Sequence, residues 1–342
     1  MIVLKKISTP KNLLLLGIIL FTLVLPLVIG SNQYVLVLTT TVILFGVMAT
    51  SWNLIGGLGG QLDLAAGAYL GLGAFTTGTL LTRWNITPWV GMPLSGLVAA
   101  GVAALIGAPL FRFRVRGVWY ALSSSALVQV LYTAFMMWSS VGGPMDQYLP
   151  RYDASFYYLR YNTYAPYYYI LLMLLYIALY LNYYIRGTRL GFQLMALGES
   201  EEAAEVLGVN ARNSKLKALM IYAYLVGVTG GVYTCLFGYY HPRFFDSNMS
   251  TEVAILGIVG GLGIPYGPLL AAAVLVSGRE FLRANLGTVV EGSYMAVYAV
   301  ILVVIALFRP SGLAVLAGDI YRAIRLRFAK DTYVKSADSA GD

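Results

Sequence analysis

Four of the fifteen acidic residues of this chain fall within seven positions, Glu199, Glu201, Glu202 and Glu205, in the stretch "ALGESEEAAEVLGVNARNSK" (Ala196–Lys215). Why a chain otherwise so apolar gathers its acids here is a question of chemistry or of contact. The sequence offers little for chemistry. There is one histidine, His241, beside Pro242, and one cysteine, Cys235, so neither a His/Cys metal set nor an internal disulfide can be assembled. No G-x-S-x-G elbow and no nucleophile–histidine arrangement occurs. No Gly-Lys pair exists, so ATP is not bound in the P-loop manner. The sequence predicts no catalytic residue, no metal and no cofactor in this chain.

A docking contact remains. Ser200 suits an N-cap, Glu201 and Glu202 then occupy the first turn where the helix dipole favours negative charge, and Gly208 suits the stop. A helix over 201–207 puts Ala203, Val206 and Leu207 on one side. Two turns are not stable alone in water, and Glu201 and Glu205 repel at i, i+4. Such a helix needs something to cover its apolar face and answer its acids. The other reading is a solvated helix resting on the membrane surface, where acids next to an anionic leaflet are poorly placed.

The elements around it are apolar. Hydrophobic residues make up 59% of the 342 and charged residues 11%, against about 25% charged in a soluble domain. Runs near the spanning length recur, with predicted spans at 12–30, 34–55, 63–82, 89–111, 118–138, 166–185, 217–240, 251–264, 266–283 and 293–308. The eighth is too short to cross comfortably. The fold class is therefore all-α, a polytopic membrane bundle of eight to ten spans with one or two broken or re-entrant segments. The first run reads as an uncleaved anchor rather than a signal peptide, because its apolar core is long and "GSNQY" is a poor cleavage site. With the N-terminus inside, 17 of the 23 Lys and Arg residues fall in inside segments, among them Arg112, Arg114, Arg116 and five between 186 and 217. This predicts cytoplasmic N- and C-termini in a cell membrane and a net charge of +8 that serves topology, not nucleic acid. The acidic stretch then lies in the longest inside loop, 186–217. The outer loop 139–165 and the start of the next span are crowded with tyrosine, from Tyr148 to Tyr169, which fits an interfacial aromatic belt or a docking surface for an external protein.

Two glycine-rich stretches interrupt the spans, "GGLGGQ" (Gly56–Gln61) and "GGLGIPYGP" (Gly260–Pro268). Irregular backbone survives at membrane depth only where protein covers it or it lines a polar cavity. Gly57, Gly59, Gly60, Gln61, Gly260, Gly261 and Gly263 are thus either helix breaks beside a translocation path or close-packing glycines. Asp63 is the first-half carboxylate at membrane depth. It reads as a path residue or as an N-cap of the third span.

The stretch "ALGESEEAAEVLGVNARNSKLKALMI" resembles the cytoplasmic loop of branched-chain amino acid ABC transporter permeases, the M-type subunit in particular. "SWNLIGGLGGQLDLAAGAYLGLGAF", "RVRGVWYALSS", "VGGP" and "EVAILGIVGGLGIPYGPLLAAAVL" follow the same family order over about residues 35–312. The resemblance implies an ATP-driven importer of branched-chain or other amino acids and a permease domain over 1–318 followed by a basic cytoplasmic tail, 319–342. It implies as partners two ATPase subunits that bind the ATP, a homologous second permease chain, an external binding protein and membrane lipid. It assigns Glu199, Glu201, Glu202, Ala203, Ala204, Glu205, Leu207 and Gly208 to the helix that docks on the ATPase. One departure stands out. The family pattern usually reads Gly-Gln-Leu-Ser-Leu-Gly-His, and here "GQLDLAA" puts Asp63 at the serine and Ala66 at the histidine. The rival reading is an ion-coupled secondary transporter using Asp63, which leaves the acidic loop without a role.

Overall fold

A computed structural model describes residues 10–30, 32–150, 155–286, 293–308, 312–316 and 318–319. Lys5, Lys6, Arg151, Tyr152, Arg309 and the basic tail from 320 onward lie outside the described residues.

The helices are α1 (Pro10–Ile29), α2 (Gln33–Trp52), α3 (Ala66–Trp84), α4 (Pro88–Arg112), α5 (Gly117–Met137), α6 (Ala165–Arg186), α7 (Arg189–Glu199), α8 (Glu201–Val206), α9 (Ala211–Phe237), α10 (Ser247–Gly260), α11 (Gly267–Ala271), α12 (Ser277–Leu286) and α13 (Ser293–Phe308). Five stretches among the described residues are long and apolar enough to cross a membrane: Gln33–Leu58, Pro88–Arg112, Gly117–Met137, Ala165–Arg186 and Ala211–Phe237. Leu20–Ile29 and Tyr294–Ile305 are shorter apolar helices. The predicted all-α membrane bundle is what forms, apart from a two-residue ribbon in which β1 (Gln147–Tyr148) pairs antiparallel with β2 (Tyr239–Tyr240). The ribbon marks one end of the molecule and α8 marks the other.

At the centre, α9 lies between α3 and α4. Every residue from Ala65 to Phe75 is buried, and α3 mixes Ala and Gly with its Leu, Tyr and Phe residues along that stretch. Small residues let the backbones touch. A Cβ on Gly73 would sit 2.0 Å from the Gly227 carbonyl oxygen, and one on Gly230 would sit 2.1 Å from that of Leu70. At the periphery, tyrosines tie α1 to α6. Tyr168 and Tyr169 donate to the carbonyls of Thr22 and Leu23, and Tyr176 shares a 2.6 Å hydrogen bond with the Thr22 hydroxyl.

Two helices start inside the bundle rather than at its rim. The π-helical turn Leu54–Leu58 ends the first stretch, and residues 59–65 run on without helix before α3 begins at Ala66, three residues later than the predicted span. Tyr120 and Ser124, the fourth and eighth residues of α5, bond to Asp63 and Leu64. The break therefore rises alongside more than a turn of a spanning helix. From β2 the chain returns along α3: a Cβ on Gly78 would meet Tyr240, one on Gly71 would meet Phe245, and one on Gly67 would meet Asp246. Eleven α3 positions separate the first of these from the last, roughly 16 Å of descent. Only then does α10 start, capped by Asp246, whose side chain accepts from the Asn248 N–H at 2.8 Å. Its 14 residues cover about 21 Å, too little to cross, as the sequence predicted. The predicted ninth span is interrupted as well, its two α-helical parts joined by a π-helical turn over Ala272–Val276.

The central packing yields a stability prediction. Gly230→Ala forces a methyl onto a carbonyl and should cost about 1–3 kcal/mol by overpacking. Gly101→Ala, on α4 with nothing within 4 Å of the added Cβ, should be neutral or slightly stabilising. Thermal unfolding of the two purified variants in the same detergent checks this, and equal midpoints would refute the close-packing account.

Candidate functional site

The acidic stretch forms the short helix α8 with the caps its residues call for. Ser200 is extended, and its hydroxyl accepts from the Ala203 N–H at 3.3 Å. Gly208 closes the helix at φ 85°, a left-handed conformation that glycine adopts without strain. Opposite faces of α8 differ sharply. Ala204 is buried against Leu197 of α7 and Ala211 of α9. Ala203 is exposed, and Val206 and Leu207 are 87% and 84% exposed. The apolar side expected from i, i+3, i+4 spacing is thus present and uncovered.

The acids are a different matter. The sequence reading asked for an outside partner to answer them, and this chain answers them itself. Glu201 reaches Lys215 Nζ at 2.6 Å and Arg116 Nε at 3.2 Å. Glu202 reaches Arg116 at 3.4 Å and Glu205 reaches Arg114 at 3.2 Å. The cations come from the turn before α5 and the first turns of α9, so α8 is pinned to two spanning helices. Glu199 ends α7, exposed and apart from these pairs. The pairs are unequal in weight. Glu202 is mostly exposed and contributes little. Lys215, a residue the sequence reading did not single out, is only 3% exposed and is the anchor. Its ammonium donates to Glu201 and also to Gln61 Oε1 at 3.1 Å. One cation thus joins α8 to the helix break at 59–65.

In that break Asp63 is fully buried. One carboxylate oxygen accepts from the Ala65 N–H at 2.9 Å and the other from the Tyr120 hydroxyl at 3.0 Å. Its backbone carbonyl accepts from Trp52 Nε1 at 2.7 Å. The N-cap position of α3 itself belongs to Ala65, so Asp63 secures the turn ahead of the cap. The two glycine stretches meet beside it. Asn53 accepts from the Gly263 N–H at 3.0 Å and donates to the Ile264 carbonyl at 3.2 Å, while Arg186 donates to the Gly263 carbonyl at 2.7 Å. A Cβ on Gly57 would stand 2.6 Å from Gly263 N, and one on Gly260 only 2.4 Å from the Gly267 carbonyl carbon. Gly60, at φ 62°, faces Gly198 of α7, and Gly59 faces Leu194. Gly261 takes φ 113°. The seven candidates from the two stretches therefore cluster at the α8 end along a seam of close backbone contacts. His241, remote from them, accepts from the Arg243 N–H through Nδ1 and lies 3.1 Å from the Pro144 carbonyl, a turn-capping role.

Removing the anchor should be costly. Lys215→Met leaves Gln61 without its donor and Glu201 with Arg116 as its remaining cation; breaking a buried pair on one side costs about 3–5 kcal/mol, and Arg116 offsets part of that. Adding Glu201→Gln should restore part of that loss, because the partly compensated charge goes with it. Denaturation midpoints of the single and double variants test this. A single variant as stable as wild type would remove Lys215 from its anchoring role.

Comparison with known proteins agrees with this architecture. Residues 34–306 match the family described as branched-chain amino acid transport system, permease component. The high-affinity branched-chain amino acid transport system permease proteins LivM of Escherichia coli (strain K12) and Salmonella typhimurium are each 24% identical over 329 residues, covering 90% of this chain and 75% of theirs. No solved structure matches significantly. With the family match covering nearly the whole helical bundle, the chain belongs to the permease components of branched-chain amino acid transport systems.

Proposed function

We propose that this chain is the transmembrane subunit of an ATP-driven importer of branched-chain or other amino acids. It works with a second, homologous permease chain, two ATPase subunits that bind the ATP, and an external binding protein that delivers substrate. Its N- and C-termini are cytoplasmic in the cell membrane of a prokaryote, a reading supported by the placement of Lys and Arg. The observation that carries the proposal is α8. It presents the small apolar face of Ala203, Val206 and Leu207 to solvent while Lys215, Arg114 and Arg116 hold its other sides. A docked helix with an uncovered apolar face is suited to enter a groove on a partner. Because its acids are already paired, apolar fit rather than charge carries the contact. Closure of the ATPase pair then pulls on α8, and through Lys215 on α9 and on the break at 59–65, so that access alternates between the two sides.

Ala203→Asp and Leu207→Asp test this. Both side chains are exposed in the isolated chain, so membrane insertion should be unchanged. Desolvating an unpaired carboxylate at the interface should weaken ATPase binding at least about 100-fold, the equivalent of roughly 3 kcal/mol. Co-purification of the ATPase and ATP-dependent, ionophore-insensitive uptake should both be lost. Retention of the complex in both variants would sink the assignment. In intact cells, an impermeant maleimide should label Tyr157→Cys but not Asn210→Cys, each in a Cys235→Ser background; the reverse would invert the orientation.

A further inference from the structure

A second set of charges lies far from α8, in the middle of the bundle. Arg279 of α12 pairs with both carboxylate oxygens of Glu252 of α10 and, at 3.2 Å, with Glu280. Its guanidinium stands over the Phe45 ring, 5.4 Å from the centroid. Phe45 is the thirteenth residue of the 26-residue stretch Gln33–Leu58, which puts the cluster near half depth at 1.5 Å per residue. Gln129 agrees: it bonds Ser247, about one and a half turns ahead of Glu252 on α10, and sits eight residues from the end of α5.

Charges at this depth normally face the bundle interior or water. Here part of the set is open. Arg283 is 64% exposed, and its ion pair, to Glu280, is a long 3.7 Å. Gln129, bonded to Ser247, and Thr251, next to Glu252 in sequence, are exposed as well. The hydroxyl of Tyr298, which borders Glu252 and Arg279, is buried without a hydrogen-bond partner among the described residues. Lipid cannot satisfy such a face. The two acids and two guanidinium groups balance in charge. A zwitterion can exchange with them, carboxylate to Arg283 and ammonium to Glu252 or Glu280, and leave no net charge at half depth. An anion or a cation of the same shape would leave one uncompensated, at high cost.

We propose that Glu252, Arg279, Glu280 and Arg283, with Tyr298, form a zwitterion-selecting station in the wall of the translocation path. This rests on the importer reading above and places substrate contact in the α10–α12 region rather than at the glycine seam.

The test uses the complete complex in proteoliposomes with leucine as probe. Thr251→Cys in a Cys235→Ser background should react with a charged methanethiosulfonate reagent. Leucine should slow that reaction at least threefold, while 4-methylpentanoate, which lacks the ammonium, and isoamylamine, which lacks the carboxylate, should not. Arg283→Gln, a substitution of an exposed side chain, should reduce leucine uptake at least tenfold while the complex still assembles. If wild type shows ATP-driven uptake but Thr251→Cys is unreactive or not protected by leucine, or Arg283→Gln transports like wild type, the station is overturned and the importer stands. If wild type shows no ATP-driven uptake of any amino acid, the importer reading itself fails.

Discussion

The backbone at 59–65 is non-helical beside more than a turn of a membrane-spanning helix, and the rest of the α8 end is arranged around satisfying it. Lipid offers no hydrogen bonds, so each polar group there must find a partner in protein. The partners come from three helices. Trp52 of α2 donates to the Asp63 carbonyl, Tyr120 and Ser124 of α5 bond the Asp63 carboxylate and the Leu64 N–H, and Lys215 of α9 donates to Gln61. Asp63 itself receives the Ala65 N–H. A break met in this way is as constrained as a helix. It is also connected, because Lys215 spends its second strong bond on Glu201 of α8.

That connection sets which parts move together. A six-residue helix has no stability of its own. Here it borrows rigidity from Ala204 packed on Leu197 and Ala211, and from cations on α5 and α9. Displacing α8 without displacing α9 would strip Lys215 of Glu201 inside a site that is almost closed to water. The stiff unit is therefore α8 with the adjoining ends of α5 and α9, and its free surface is the apolar strip of Ala203, Val206 and Leu207.

Much of this was legible from residue types alone. Ser200, the acids of the first turn and Gly208 gave α8 and both its ends, because caps act within four residues. The short α10 followed from length, and the apolar strip from spacing. What escaped was every long-range partner. Glu201 pairs with Arg116, 85 positions away, and Asp63 with Tyr120, 57 positions away. No local pattern encodes such a pairing, although Arg114 and Arg116 in "RVRGVWYALSS" stood in plain view. The buried face of α8 was also missed. Spacing marked Ala203 as apolar and left Ala204, the residue that actually packs, to be found in three dimensions.

The same limit hid Glu252 and Arg279. Each interrupts an apolar run, which is a signal in itself, but their 27-residue separation and the π-helical turn between α11 and α12 conceal that they meet. Their placement separates two demands that one region would serve badly. The glycine seam around Gly57 and Gly263 packs backbone against backbone, with Gly57 too close to Gly263 for an added Cβ, which suits force transmission. The half-depth cluster has a partly exposed guanidinium and a buried hydroxyl without a partner, which suits a transient guest. A permease fed by a binding protein gains nothing from holding substrate tightly. A charge-balanced cluster offers a guest a swap of partners rather than a deep well, and that is the energetic profile a path wall requires.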